Sequence, residues 1–74
     1  MLNACILLKA ISTKVEAILE EIKKIDGVRK AYLTYGRFDI VVFLEAKDYA
    51  DLRRITTTIN SIVGVRSTET LVEA

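Results

Sequence analysis

The 74-residue chain has no histidine, no proline and no tryptophan, one cysteine and three glycines. Without imidazole, a Ser or Cys nucleophile lacks its commonest base and a metal ion its commonest ligand, so most of the familiar hydrolase and metalloenzyme constellations are absent. A single cysteine excludes an internal disulfide, and no metal or cofactor is expected. Eleven basic residues against ten acidic give a net charge of +1, too weak a field to hold nucleic acid or anionic lipid non-specifically. No apolar run approaches the ~20 residues of a membrane span, and the N-terminus lacks the basic segment and small-residue cleavage site of a signal peptide. A cytoplasmic protein is expected. What is present is a 51% hydrophobic composition in one small domain. A domain of this size buries only ~60% of its unfolded surface, and with disulfides and metals removed a partner subunit is the expected source of further stability.

Leu2 to Ala10 is apolar except for Asn3 and Lys9, as suits a strand buried on both faces. Thr13-Lys14-Val15-Glu16 has the capping-box pattern, and Val15, Ile18, Leu19, Ile22 and Ile25 then recur at helical spacing. Asp26-Gly27 ends that helix, and Val28 to Tyr35 alternates as a second strand. Gly36-Arg37 reads as a tight connection to Phe38–Ala46, the strand richest in β-branched and aromatic residues, which predicts an antiparallel hairpin. Lys47-Asp48 opens a second helix with Asp48 as N-cap and Tyr49, Leu52, Ile55, Ile59 and Ile62 as its apolar stripe. Gly64 ends it, and Val65 to Val72 is the fourth strand. Ile25-Asp26-Gly27-Val28-Arg29 returns 37 positions on as Ile62-Val63-Gly64-Val65-Arg66. Two βαβ halves predict an α+β, ferredoxin-like βαββαβ fold with a four-stranded antiparallel sheet and both helices on one face.

That topology leaves the other face of the sheet bare. Cys5 and Leu7 have opposite parity to Ala4, Ile6 and Leu8, and Val41 and Phe43 oppose Ile40, Val42 and Leu44. Both faces of both central strands are therefore apolar, and a contiguous apolar patch of this kind marks an interface. A dimer formed sheet to sheet through Cys5, Leu7, Val41 and Phe43 is expected.

Few residues carry chemistry. Cys5, alone in an apolar strand, reads as an inert core thiol, and Glu20 and Lys24 read as a surface i,i+4 ion pair. The stretch Gly36–Phe43 has a superficial likeness to an RNA-recognition signature, but Ile40 replaces a stacking aromatic and Asp39 puts negative charge where a phosphate backbone would pass. No direct nucleic-acid partner is expected. Asp39 is the anomaly, a carboxylate between Phe38 and Ile40 whose unpaired burial would be costly. It either accepts hydrogen bonds from the Tyr35-Gly36-Arg37 turn, or pairs with Arg37, or receives the ammonium group of a ligand. Gly36 would let a ligand carboxylate approach the backbone. Ser67, Thr68 and Thr70 offer hydroxyls, or are ordinary exposed-strand residues.

Across Gly27-Val28, Thr34-Tyr35-Gly36-Arg37-Phe38-Asp39 and Gly64-Val65-Arg66-Ser67-Thr68-Glu69-Thr70 the sequence resembles the effector-sensing RAM domain (regulation of amino-acid metabolism) of the Lrp/AsnC regulators. The resemblance covers essentially the whole chain, which begins directly in the first strand without a helix-turn-helix domain, so a stand-alone RAM protein is expected. It implies sheet-to-sheet dimers that assemble into octamers or decamers, with an amino-acid effector bound between dimers. It also implies that Gly36, Arg37, Phe38 and Asp39 line the effector pocket, with Thr68 and Thr70 contributing. The expected function is a non-enzymatic amino-acid sensor whose partner is a full-length regulator of the same family. Two other readings stand beside it: a structural oligomerisation module without a ligand, and a cofactor-free monooxygenase of the dimeric α/β-barrel type.

Overall fold

Burial alternates strictly along Leu2–Ala10 (β1), with Ala4, Ile6, Leu8 and Ala10 buried and the residues between them more exposed. In the computed structural model, which describes residues 1–74, β1 is followed by helix α1 (Val15–Lys23), strands β2 (Val28–Leu33) and β3 (Ile40–Ala46), helix α2 (Tyr49–Asn60) and strand β4 (Val65–Val72). The sheet order is β2-β3-β1-β4, antiparallel throughout, with the two most apolar strands at its centre as expected. Ile6 lies opposite Val42 and Leu8 opposite Ile40, so the buried sets of β1 and β3 share one face. Ile18, Leu19 and Ile22 of α1 and Leu52, Ile55 and Ile59 of α2 close over that face. Every buried residue is hydrophobic and no buried side-chain polar atom lacks a partner.

The internal repeat has a structural counterpart. The helices stop before the glycines expected to end them: α1 is capped at Lys24 and α2 at Ser61, and Gly27 and Gly64 stand in the connections that follow, with φ of 103° and 104°, a backbone region open to glycine and strained for any residue with a Cβ. Each is crowded by the other half: a Cβ on Gly27 would meet Ile55 of α2, and one on Gly64 would meet Ile18 of α1. Ile18 and Ile55 are themselves 37 positions apart, so the two halves hold each other by equivalent contacts. The chain ends also meet. Ala4 pairs with Val72, and Asn3 Nδ2 donates to Glu73 Oε1 at 2.9 Å.

Several local expectations are corrected. The capping box at Thr13 does not form, because Ser12–Lys14 makes a 3-10 turn in which the Lys14 amide donates to the Ile11 carbonyl. The reciprocal cap stands instead on α2, where Asp48 Oδ1 accepts from the Asp51 amide at 2.8 Å and Asp51 Oδ2 accepts from the Lys47 amide at 2.9 Å. Tyr49 is not part of the buried stripe; as the first residue of α2 it is 70% exposed. Glu20 pairs with Lys23 at 3.5 Å rather than with Lys24, which lies at the cap beyond the end of α1. The hairpin is wider than a two-residue turn, since β2 stops at Leu33 and β3 starts at Ile40. The Thr34 amide donates to the Asp39 carbonyl and the Thr34 hydroxyl to the Phe38 carbonyl, which closes a six-residue loop instead.

Asp51 also yields a pH prediction. The Lys47 backbone N–H, together with the Arg54 guanidinium bonded to the same side chain, holds its carboxyl below the usual value. A carboxylate depressed in the folded state stabilises above its unfolded pKa, and loses that contribution as pH falls through the folded value. Melting temperature followed by circular dichroism is expected to fall below about pH 4, and Asp51→Asn should flatten that fall. Parallel acid profiles for the two proteins would contradict this assignment.

Candidate functional site

The loop between β2 and β3 stands clear of the core. Tyr35 at its tip is fully exposed, Arg37 makes no ion pair within the chain, and a Cβ built on Gly36 would meet nothing within 4 Å. Phe38 and Asp39 are half-buried where the loop returns to the sheet. The Asp39 amide donates to the Leu8 carbonyl at 2.8 Å, and its Oδ2 accepts from the Ala10 amide at 2.9 Å. This corrects the local readings of Asp39, which neither caps the Tyr35–Arg37 turn nor pairs with Arg37. Leu8–Ile40 is the last β1–β3 pair, and beyond it the Asp39 carboxylate takes the place of a ladder carbonyl for Ala10, satisfying a donor that would otherwise lose its partner. The second carboxylate oxygen makes no bond within the chain.

Asp39 lines a depression of about 170 Å³ with Val15, Leu33, Thr34 and Tyr35, at the corner between α1 and the hairpin. Ligand pockets usually reach ~300 Å³ or more, so the depression is smaller than an ordinary ligand pocket. Thr68 and Thr70 are not brought to this corner. They lie on β4, opposite Leu8 and Ile6, with β1 between them and β3. The Thr68 hydroxyl donates to Asn60 Oδ1 at 2.9 Å, and Thr70 lines a groove along α2. Ser67, opposite Lys9, has the other parity.

Cys5, Leu7, Val41 and Phe43 share the helix-free face, as parity predicts. Cys5 stands between Phe43 on β3 and Leu71 on β4, and Leu7 between Val41 and Glu69. Cys5 is therefore a half-buried residue of the open face rather than a core thiol, and burial pushes its pKa up, keeping it protonated. Tyr32 and Leu71 extend the patch, 43% and 51% exposed, with the Tyr32 and Phe43 rings 6.1 Å apart. Sequence reading misses both, although the same period-2 rule applied to β2 and β4 places them there. On the opposite face Ile18, Ile22, Ile55 and Ile59 fill the space between sheet and helices, where a monooxygenase of the α/β-barrel type would hold its substrate.

One helical layer, one open apolar sheet face and an exposed hairpin make this a ferredoxin-like α+β domain. The family model of the Lrp/AsnC ligand binding domain matches residues 3–73, and the chain belongs to that family. Its fold is similar to TTHA0845 of Thermus thermophilus, with a TM-score of 0.96 and 32% identity over 100% of this chain and 94% of that one. It is also similar to a feast or famine regulatory protein of M. tuberculosis complexed with L-methionine, at a TM-score of 0.75 and 19% identity, covering 99% of this chain and 50% of that one. A homocitrate synthase of Sulfolobus acidocaldarius is 39% identical over 54 residues, 73% of this chain, and the matched part is only 12% of the synthase.

Proposed function

We propose that this domain senses a free amino acid at the hairpin corner and transmits the binding through its own assembly. The carrying observation is Asp39: a half-buried carboxylate with one oxygen fixed by the Ala10 amide and the other free, beside an open Gly36 backbone, within a domain of the ligand-binding family. Asp39 receives the ligand ammonium group, while Gly36, Arg37 and Phe38 line the rest. Two protomers pair through the open sheet face at Cys5, Leu7, Val41 and Phe43, and dimers join into an octamer or decamer. Thr68 and Thr70 reach the ligand from a neighbouring copy, since within one protomer β1 separates them from the hairpin. A ligand bound only between copies stabilises whichever assembly contains that junction. The methionine complex of the M. tuberculosis regulator supports an amino acid as effector. The output is co-assembly with a full-length Lrp/AsnC-type regulator; no DNA contact is assigned to this domain.

The test is a thermal-shift panel of the common amino acids at millimolar concentration, in which a ligand at 100 times its Kd adds ~2.7 kcal/mol. Asp39→Ala is expected to abolish the selective shift and to cost about 1–2 kcal/mol of stability, because the Ala10 amide loses its acceptor. Asp39→Asn separates the two effects, retaining an acceptor while removing the charge. It should keep most of the stability and still lose the response; a response preserved in Asp39→Asn would reject ammonium recognition by this residue. No shift with any amino acid would favour a structural module. The homocitrate synthase match supports a second reading, in which the same sensing unit reports to a biosynthetic enzyme instead of a regulator.

A further inference from the structure

A second concavity lies on the far side of β1 from the hairpin of the same protomer and shares one residue, Thr70, with the proposed effector site. Between α2 and β4 runs a groove of about 380 Å³ lined by Tyr49, Leu52, Arg53, Thr56, Asn60 and Thr70. Its polar lining is biased towards donors. Arg53 has no ion-pair or hydrogen-bond partner for its guanidinium, whereas its neighbour Arg54 is held by Asp51 and by the Asp26 carbonyl. The Asn60 carbonyl oxygen is occupied by Thr68, which leaves its NH₂ as the available group. The hydroxyls of Tyr49 and Thr70 have no partner within the chain, while that of Thr56 is turned back to the Arg53 carbonyl. No carboxylate lines the groove, and Leu52 and the Tyr49 ring supply apolar surface.

A guanidinium with amide and hydroxyl donors and no competing acid matches a carboxylate, which accepts two parallel bonds from an arginine fork. We propose that the α2–β4 groove binds a small organic carboxylate, paired with Arg53, held by Asn60 and Thr70, and with its apolar body on Leu52 and Tyr49. Within one protomer the site lies on the far side of β1 from the hairpin, and Arg53, on which its test turns, has no role in the amino-acid reading.

The test is a titration of the isotope-labelled full chain with hexanoate, with its neutral isostere hexanamide, and with inorganic phosphate, read amide by amide in NMR spectra. Hexanoate is expected to shift Tyr49, Arg53, Asn60 and Thr70 saturably, and hexanamide to leave them unmoved. Arg53→Gln, a substitution on an exposed helix surface, is expected to weaken hexanoate at least about tenfold with the remaining spectrum unchanged, the scale of one lost charge-assisted bond. Equal shifts with hexanamide, an unchanged affinity in Arg53→Gln, or no saturable shift at these residues would overturn the proposal. Phosphate acting on the same amides as strongly as hexanoate would also overturn it, by marking a non-selective anion surface.

Discussion

Gly27→Ala is expected to destabilise the domain by about 3 kcal/mol, combining the strain of a side chain at positive φ with overpacking. The added Cβ would stand 2.8 Å from Ile55 Cδ1 and 3.2 Å from the Glu45 carbonyl oxygen. The side chain can turn away, but the carbonyl belongs to β3, and the Glu45 amide already donates to the Gly27 carbonyl at 2.8 Å. Gly64→Ala makes an instructive comparison. The three atoms nearest its Cβ would all be side-chain atoms, Ile18 Cδ1 and Lys14 Cδ at 3.0 Å and Lys14 Cβ at 3.3 Å, so its cost should be chiefly the backbone strain, about 1–2 kcal/mol. Urea denaturation at fixed protein concentration would rank the two. Ile55→Val, which removes the clashing methyl, should cost about 1 kcal/mol in the natural chain and far less in the Gly27→Ala background, a coupling readable in a double-mutant cycle. A Gly27→Ala protein within about 0.5 kcal/mol of the natural one, the range of an ordinary surface change, would contradict this packing.

Leu7→Glu is expected to turn the proposed sheet-to-sheet dimer into folded protomers. Leu7 is half-buried at the centre of the open face, beside Val41 and Glu69. In a sheet-to-sheet dimer the new carboxylate is trapped against apolar neighbours, at a cost of about 3 kcal/mol or more, a hundredfold or greater loss of affinity. In the protomer the same position reaches water, so the fold tolerates it. Sedimentation equilibrium is expected to show the drop in mass, with the far-ultraviolet spectrum retained. Thr57→Glu, on the exposed surface of α2, should leave the mass unaltered. A natural chain that sediments as a folded monomer at micromolar concentration, or an undiminished mass in Leu7→Glu, would reject the proposed sheet-to-sheet interface.

The fold is legible in the sequence because its signals are periodic and short-range. Period 2 in Leu2–Ala10 and Ile40–Ala46, period 3.6 in the two helices and the repeated Ile-x-Gly-Val-Arg define element order, central strands and open face. Caps read less well. Thr13 and Asp48 both precede an apolar helical run, and what separates them is the 3-10 turn at Ser12–Lys14, which consumes the Thr13 position before α1 begins. The site is half legible. The hairpin residues can be named from local sequence, but the Asp39 partner, Ala10, lies 29 positions away and is assigned by β1–β3 register. Thr68 and Thr70 join the hairpin by residue type and by the family resemblance, whereas the strand order sets β1 between them and the hairpin within one protomer.

The pairing of Ala4 with Val72 brings the beginning of β1 and the end of β4 to the same end of adjacent strands. A unit whose two ends emerge side by side can be joined to other polypeptide on either flank, or inserted into a surface loop, without reopening its interior. The all-apolar core makes no demand on such a host, since no polar or charged residue is buried in it and no buried side-chain polar atom lacks a partner. Portability of this kind is written into the sheet order.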